Sequence, residues 1–428
     1  MQPRARAEWE PLRHVLMHEP GIEVFFALLS PSAHLYERFF DAEAARREHR
    51  QLRSVLSDGF GVKTTLLLDA VRKAARQDPA CFEALLAFAR ERLATRVSGD
   101  PAHLPGRIRQ AREEALRLDE RDPAHLAMIG VLNPALAFSP SGITTGLSRP
   151  LHNLYFMRDQ QVTTAGGIVQ ARMAVPEREA EVAFAGIGLA AAGCPPSGRV
   201  TAGACEGGDV IPIGDAVLIG TGPRTTPEGA RSLCAAGIGC DEVALVRQRG
   251  HPLVAGHDPM VAMHLDTYCN IASESVAVGN PLLLAAAEVD VYTRDGGEYV
   301  AARRGIALDA YLSERGFSII PITTLEQLCY ASNFLCIRDG VCITPDTEAI
   351  APGVLRRLAR KAKASPERYG RLLRQAEHDL AGLRAEAEFF PHKKEVYAHG
   401  LEMTSVGLTN ATGGYGGAHC MTCVLRRG

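Results

Sequence analysis

The feature that most constrains the fold of this sequence is a hairpin-like pattern that recurs four times. Each copy begins with an acidic or amide residue and continues with two short apolar runs separated by a turn that contains Gly or Asp. Short apolar runs bounded by turn residues are typical of β-strands. Their uneven repetition favours a pseudo-symmetric array of β/α units. The four copies are RDQQVTTAGGIVQA (158–171), EGGDVIPIGDAVLIG (206–220), HLDTYCNIASESVAVG (264–279) and NFLCIRDGVCITP (333–345).

Further strands and a helix are predicted from local composition. Residues 33–57 carry alanine, leucine and charge pairs four residues apart, a pattern typical of a helix. Residues 352–387 also have charged faces and a proline near their start, and we predict a helical stretch there. Strands are predicted where β-branched and apolar residues are bounded by Gly, Pro or Asp, at 13–20, 61–68, 217–222, 241–246 and 317–322.

Residues 70–128 differ from the rest of the chain because they show almost no strand pattern. Three Asp-Pro steps, at 78–79, 100–101 and 122–123, each fit the start of a helix, with Asp as the cap and Pro in the first turn. We therefore predict a helical bundle over 70–128, inserted into a main domain formed by 1–69 and 129–428.

The charge balance excludes several classes of partner. The 428 residues carry 47 basic and 49 acidic side chains, so no basic excess points to nucleic acid or an anionic membrane surface. No apolar run reaches the roughly 18 residues that span a bilayer, and the first residues lack the apolar core of a signal peptide. We expect a cytoplasmic protein that binds neither nucleic acid nor membrane.

The eleven cysteines do not predict a disulfide framework or a metal site. Their number is odd, and most lie in apolar segments, as small buried hydrophobic residues do. One C-x-x-C pair, Cys420 and Cys423, occurs without a second pair to complete a four-ligand zinc site. In a reducing compartment disulfides are not expected either.

The segment GGYGGAHCMTC (413–423) places a cysteine after a glycine-rich loop. Glycines allow the backbone to approach a ligand closely, and a cysteine becomes a nucleophile where its surroundings stabilise the thiolate. Cys420 is therefore a candidate nucleophile. A buried structural cysteine beside a turn fits the segment equally well.

Candidate partners for such a nucleophile lie in three of the hairpin segments. His264 and Asp266 alternate with Leu265, so in a strand both polar side chains share one face. Histidine is suited to proton transfer near neutral pH. Carboxylates match a guanidinium group bidentately, and Asp159 and Glu206 add two more to Asp266. A surface strand, turn caps and surface salt bridges remain the alternative interpretations of these residues.

Taken in order, NLYFMRD, EGGDV, MHLDT and GGYGGAHCMTC resemble the arginine deiminases of the guanidino-modifying (pentein) superfamily. RHVLMHEPGIE and EHRQLRSVLSDGFGVKTTLLL are similar to the first repeat of that family, and the helical insertion is similar as well. The resemblance runs from about residue 8 to the end. It implies an α/β fold, a five-bladed, pseudo-fivefold β/α propeller with an inserted helical bundle. It also implies a homo-oligomer.

Carried over to this sequence, the resemblance makes Cys420 the nucleophile that attacks the guanidinium carbon. His264 is then the general acid and base with Glu206 as its partner, and Asp159 and Asp266 hold the guanidinium nitrogens. The implied reaction is hydrolysis of a C–N bond of L-arginine to citrulline and ammonia through a thiouronium intermediate, with no metal or organic cofactor. The residues implied at the α-amino and α-carboxylate end of the substrate are Asn153, Arg178 and Arg224, the two arginines also fitting ordinary surface positions.

One position departs from the family pattern. The family usually has an arginine five residues before the nucleophile, where it holds the substrate carboxylate, and here that residue is Tyr415. A phenol offers one neutral hydrogen bond in place of a bidentate ionic contact, a loss of about 2–3 kcal/mol or about two decades in affinity. The glycine-rich loop at 413–417 is also a candidate for closure over the substrate.

Three functions therefore remain open. The first is arginine deiminase, and a deiminase of another guanidino compound belongs with it because of Tyr415. The second is an amidinotransferase, which shares a similar G-G-x-H-C-x-T-C ending followed by RR, although the helical insertion argues against it. The third is a protein that binds a ligand without catalysis.

Overall fold

The fold was read from a computed structural model that describes residues 3–98, 105–139 and 142–428. Strands and helices alternate along the chain, and they are numbered here in chain order. The strands are β1 Leu12–Met17, β2 Lys63–Leu66, β3 Ala94–Val97, β4 Pro134–Ser139, β5 Gly142–Leu147, β6 Gln161–Thr164, β7 Gly167–Gln170, β8 Gly198–Arg199, β9 Val210–Ile213, β10 Ala216–Thr221, β11 Glu242–Arg247, β12 Cys269–Ser273, β13 Val276–Gly279, β14 Glu288–Asp295, β15 Glu298–Ala307, β16 Ser318–Pro321, β17 Leu335–Arg338, β18 Val341–Pro345, β19 Glu402–Val406 and β20 Cys423–Arg427.

The helices connect these strands and cover the outside of the sheets. They are α1 Ile22–Leu28, α2 Ala42–Ser54, α3 Leu67–Gln77, α4 Pro79–Arg92, α5 Pro105–Leu116, α6 Pro123–Leu132, α7 Glu179–Ala191, α8 Pro227–Ala235, α9 Pro281–Ala286, α10 Leu308–Glu314, α11 Thr324–Leu328, α12 Thr347–Ala364, α13 Pro366–Glu386 and α14 Lys394–Ala398. None of the helices in the described ranges is long and apolar enough to cross a membrane.

Five sheets of the described chain share one design. In each, an antiparallel pair of strands is extended by a third strand that runs parallel to the second strand of the pair and is reached through one or more helices. Such a parallel connection needs a crossover, which the helices provide. These five modules form the predicted pseudo-fivefold β/α propeller: β6-β7-β8, β9-β10-β11, β12-β13-β16, β17-β18-β19 and β20-β1-β2.

Every strand segment predicted from the sequence contains a strand. The runs at 13–20, 61–68, 217–222, 241–246 and 317–322 contain β1, β2, β10, β11 and β16, and the four recurring segments contain the hairpins β6–β7, β9–β10, β12–β13 and β17–β18. The predicted helix over 33–57 is shorter in the structure, where α2 begins after Asp41. The Asp41 carboxylate accepts hydrogen bonds from the N–H groups of Glu43 and Ala44, and so fixes that start.

The predicted start of the helical stretch at 352 is wrong. Helix α12 begins at Thr347, because the carboxylate of Asp346 accepts a hydrogen bond from the N–H of Ala349 at 3.0 Å. Pro352 lies inside the first turns of α12. Because Pro352 is the sixth residue of α12, it lacks the N–H that would otherwise bond to the carbonyl of Glu348.

The region predicted as a helical insertion contains α3, α4, α5 and α6. Asp78 and Asp122 cap α4 and α6 as predicted, accepting hydrogen bonds of 2.9 and 2.8 Å from Ala80 and Ala124. The step at 100–101 lies outside the described residues. A strand that the sequence analysis missed, β3, pairs with β4, and α3 and α6 extend across the predicted limits at 70 and 128. The division into domains stays a prediction.

The fold brings one end of each module to a common centre. The polar residues Asp159, Glu206, Asp266, Asn333 and Cys420 each lie just before the first strand of a different module. Because the modules are arranged alike, these five positions are equivalent, and their side chains come together although the sequence separates them widely. The candidate site lies at this centre.

Candidate active site

His264 is buried between two carboxylates. Its Nε2 lies 2.8 Å from Oε2 of Glu206, and its Nδ1 lies 3.8 Å from Oδ1 of Asp159. Burial lowers the pKa of His264, but the negative charges of Asp159 and Glu206 outweigh burial and raise the pKa to about 9. At neutral pH the imidazole therefore carries a proton that it can donate.

Glu206 is held as an anion by its neighbours. Burial raises its pKa, but the hydrogen bond from His264 and the charges of Arg224 and Arg178 outweigh burial and lower the pKa to about 2. Its other oxygen, Oε1, accepts a hydrogen bond of 2.9 Å from the N–H of Ala174. Glu206 is thus fixed at both oxygens, and it orients the His264 ring.

The glycines that follow Glu206 allow this close approach. A Cβ at Gly207 would lie 2.0 Å from the carbonyl oxygen of Arg158, and a Cβ at Gly208 would lie 2.7 Å from Nδ1 of His264. Neither contact is possible for a residue with a side chain. The EGG sequence is therefore required for the backbone to pass beneath the imidazole.

Cys420 faces a carboxylate. Its thiol lies 3.5 Å from Oδ2 of Asp266, and its N–H donates a hydrogen bond of 3.1 Å to Oδ1 of Asn333, which also accepts the N–H of Gly417 at 2.8 Å. Burial, with the charges of Asp266 and Asp159, raises the pKa of the Cys420 thiol well above its usual range. Without a ligand the sulfur is a neutral thiol, and a nearby cation is needed to make it a thiolate.

Two carboxylate oxygens at the centre have no hydrogen-bond partner among the described residues. They are Oδ1 of Asp159 and Oδ1 of Asp266, and both are buried. A buried anionic oxygen without a donor is costly, so it marks a place where a ligand supplies the donors. Both oxygens are acceptors that N–H groups of a ligand would satisfy.

Arg178 and Arg224 are not surface arginines, because both are buried. Arg178 donates to Asp159 at 3.0 Å and to Glu181 at 2.9 Å. Burial lowers its pKa, but the adjacent carboxylates, Glu181 first, more than compensate. NH1 of Arg224 lies 3.9 Å from Glu206 and makes no hydrogen bond among the described residues. Arg224 is therefore available to a ligand, whereas Arg178 is engaged with the site carboxylates.

Tyr415 and Asn153 border the site. Tyr415 has φ of 75°, a left-handed conformation that non-glycine residues seldom adopt. Burial and the charge of Asp258 raise its pKa to about 12, so it stays a neutral phenol. The side-chain N–H of Asn153 donates to the carbonyl of His34 at 3.1 Å.

A narrow cavity of about 10 Å³, about the space of one water molecule, lies among these groups. Six of the nine residues named from the sequence line it, while Glu206, Asp266 and Arg224 are not among its lining residues. The apolar wall of Leu35, Phe156 and Met263 was not predicted from the sequence, although Phe156 lies within the NLYFMRD motif. The lining residues are Leu35, Asn153, Phe156, Asp159, Arg178, Met263, His264, Gly414, Tyr415 and Cys420.

Asp159, Glu206 and His264 have ligand atoms within 4.8 Å of one another, a spacing that suits a metal ion. Arg178 and Arg224 already lie within 4 Å of Glu206 and supply positive charge there. A divalent cation would have to lie beside two guanidinium groups, so the donor set suits proton transfer better than metal binding.

Comparisons with known proteins agree with this geometry. The sequence profile of the arginine deiminase family matches residues 33–427. The arginine deiminase of Halobacterium salinarum is 26% identical over 99% of this chain and 96% of its own length. The arginine deiminase of Mycobacterium marinum is 25% identical over 99% of this chain and 98% of its own length.

Two solved structures share the fold. A dimethylarginine dimethylaminohydrolase, solved as an adduct with S-methyl-L-thiocitrulline, superposes with a TM-score of 0.50 at 15% identity, over 96% of this chain and 98% of its own. An amidinotransferase from Microseira wollei superposes with a TM-score of 0.52 at 11% identity, over 99% of this chain and 97% of its own. The fold is that of the guanidino-modifying penteins, and the profile match over nearly the whole chain shows that this protein belongs to the arginine deiminase family of C–N hydrolases.

Proposed function

We propose that this enzyme hydrolyses L-arginine to L-citrulline and ammonia through a covalent intermediate on Cys420. The observation that carries the proposal is the pair of buried oxygens on Asp159 and Asp266 that have no hydrogen-bond partner among the described residues, on two carboxylates whose charges both act on the Cys420 thiol. A guanidinium group has five N–H donors and a positive charge, so it satisfies both oxygens and offsets the charge that keeps the thiol protonated.

In the first half-reaction the bound cation stabilises the Cys420 thiolate, and the thiol proton leaves through Asp266 or solvent. The sulfur adds to the guanidinium carbon and forms a neutral tetrahedral adduct. His264 donates its proton to one terminal nitrogen, the C–N bond breaks, and ammonia departs. The product is a cationic thiouronium ester of Cys420.

In the second half-reaction the neutral His264 accepts a proton from water. The hydroxide adds to the thiouronium carbon, and the C–S bond breaks. The thiolate regains a proton from the hydroxyl of the collapsing adduct, and citrulline is released. Glu206 stabilises the imidazolium in both half-reactions, since its own pKa is lowered and it stays charged.

The amino acid end of the substrate is assigned to Arg224, Asn153 and Arg178. Arg224 is buried, and its NH1 makes no hydrogen bond within the described ranges, so it can bind the α-carboxylate. Arg178 would have to exchange part of its contact with Asp159 for the substrate, or act by holding Asp159 in place. Tyr415 contributes one neutral hydrogen bond where the family has an arginine.

The test is incubation of the purified protein with L-arginine, with and without glycine, and identification of products by mass spectrometry. Citrulline and ammonia that disappear in Cys420→Ala support the proposal. Cys423→Ala is the matched control, since Cys423 is equally buried but does not line the cavity, and it should keep activity. Ornithine with guanidinoacetate would indicate amidino transfer, and absence of turnover with arginine would contradict the proposal.

A further inference from the structure

A second buried histidine lies next to the nucleophile in the sequence and is not part of the mechanism above. His419 has no exposed surface. Its Nδ1 lies 2.8 Å from Oδ2 of Asp266, and its Nε2 lies 3.4 Å from Oε1 of Glu8. The ring therefore connects the carboxylate that faces Cys420 to a second carboxylate at the start of the chain.

Both ring nitrogens of His419 face oxygens that only accept hydrogen bonds while they are ionised. A neutral imidazole has one N–H and one bare nitrogen, so it cannot donate to both carboxylates. The imidazolium form satisfies both. The geometry of the pair Asp266 and Glu8 thus selects a positively charged ring.

Glu8 is fixed as an anion at the far end. Its Oε2 accepts a hydrogen bond of 2.6 Å from Arg427, and its Oε1 lies 3.4 Å from Arg158. Burial raises the pKa of Glu8, but these two arginines and His419 outweigh burial and keep the pKa well below its usual range. A permanently charged partner thereby keeps His419 in place.

At the near end His419 occupies one oxygen of Asp266 and leaves the other free. Oδ2 of Asp266 accepts from His419, whereas Oδ1 has no partner among the described residues. Burial raises the pKa of Asp266, and the hydrogen bond and charge of His419 are the largest of the effects that lower it below its usual value. The ring thus fixes both the orientation and the charge of the carboxylate that holds the substrate cation.

We propose that His419 is a positioning residue, and that the chain Glu8–His419–Asp266 sets the ionisation of Asp266 and, through it, the reactivity of Cys420. This rests on the proposed function in its use of Asp266 as a guanidinium ligand. The ionisable groups that face the chain are few. Asp266 is acted on by His419, Cys420, His264 and Arg158. The ring of His419 faces Asp266 and Glu8. The Nε–H of Arg158 donates a hydrogen bond to the backbone carbonyl of His419.

The first experiment compares His419→Gln with the unmodified enzyme by two readouts. With arginine, the acid limb of the kcat/KM profile should move to higher pH by about one unit, because Asp266 loses its cationic partner and protonates more readily. The accompanying loss of kcat/KM should come mainly from an increase in KM. With iodoacetamide and no substrate, the pH midpoint of Cys420 alkylation should also rise, because a positive charge near the thiol is lost.

His49→Gln is the matched control. His49 is also fully buried, and its ring nitrogens have no hydrogen-bond partner among the described residues. It should shift neither profile. If His419→Gln is folded and both of its profiles coincide with those of the unmodified enzyme, the proposal is overturned. If neither the unmodified enzyme nor either variant turns over arginine, but His419→Gln shifts the alkylation midpoint, only the proposed function is contradicted.

The intact protein supplies a measurement that does not depend on a folded variant. The dipeptide His-Cys occurs once in the sequence, at 419–420, so paired isotope labelling of histidine carbonyls and cysteine amides identifies His419. Its ring nitrogen signals should be those of an imidazolium with two retained N–H protons across the pH range of activity. A neutral ring in that range would overturn the proposal.

Discussion

His264 and His419 are both fully buried and both lie between two carboxylates, yet only His264 lines the cavity. The partner of His264, Glu206, has both oxygens occupied, and the ring of His264 is left to face the ligand. The partner of His419, Asp266, has one oxygen occupied, and its other oxygen has no hydrogen-bond partner in the described part of the chain. Under the two proposals above, His264 transfers a proton, whereas His419 orients a carboxylate.

The largest effect is expected from His264→Gln. The variant lacks the proton donor for the ammonia leaving group and the base for water, so kcat should fall by about 10²–10⁴-fold. Steady-state assay of citrulline formation measures it. Iodoacetamide should still label Cys420 in this variant, and a kcat within tenfold of the unmodified enzyme would assign proton transfer to another group.

Asp266→Asn should give the next largest effect. The amide removes one of the two charges that hold the guanidinium, a loss of about 2–3 kcal/mol or about two decades in kcat/KM. The Cys420 alkylation midpoint should move to lower pH, because Asp266 contributes to the raised pKa of the thiol. An unchanged midpoint in a folded variant would show that Asp266 does not act on Cys420.

Glu206→Gln tests the pH dependence of the His264 side. The pKa of His264 is about 9, so kcat/KM should fall as the pH rises through that value, where the acid form disappears. The charge of Glu206 helps to raise this pKa, and its removal should move the alkaline limb to lower pH and reduce kcat/KM about tenfold. If the alkaline limb of the kcat/KM profile lies at the same pH in Glu206→Gln as in the unmodified enzyme, the pairing of Glu206 with His264 is contradicted.

The same ionisation contributes to stability. Because the folded pKa of His264 lies above its ordinary value of 6.5, its contribution is complete below about pH 6.5 and is lost as the pH rises towards about 9. Thermal unfolding of the unmodified protein and of Glu206→Gln measures this loss. Between pH 6.5 and 9 the unfolding temperature should fall less in the variant than in the unmodified protein.

The smallest effect is expected from Tyr415→Arg, which restores the residue usual in the family. A cation at this position should lower KM for L-arginine by about tenfold with little change in kcat. Agmatine, which lacks the α-carboxylate, is the control, and its KM should not fall. An equal improvement for both compounds would mean that residue 415 does not act on the carboxylate.

The hairpins and their leading polar residues could be predicted because alternation and turn residues are local in the sequence. The position of Asp159, Glu206 and Asp266 before equivalent strands made their convergence foreseeable. Glu8 could not be assigned in the same way, because it meets His419 across 411 residues and only the closed fold brings them together. The burial of Arg178 was also beyond the sequence, since it depends on Asp159 and Glu206, two carboxylates from other segments of the chain.

The glycine-rich loop illustrates the same limit. Its composition predicts closure over the substrate, which stays a prediction, yet the structure shows what holds the loop. The carboxylate of Glu48 accepts the N–H groups of Asn410 and Ala411, and the N–H of Glu37 donates to the carbonyl of Gly413 at 2.7 Å. A Cβ at Gly414 would lie 2.6 Å from Phe156. If the loop at 413–417 opens, its contacts with Glu37 and Phe156, and those that Glu48 makes just before it, have to break or shift.

One module is assembled from both ends of the described chain, with Leu12 of β1 opposite Arg427 of β20. Cys420 lies just before β20 and Glu8 just before β1 of the same module, while Asp266 comes from another module. Pairings this remote in sequence form late and are lost together when the ring opens. Catalytic activity should therefore report on folding of the whole ring: the midpoint at which heat or urea abolishes turnover should coincide with global unfolding, with no active fragment or partly folded intermediate.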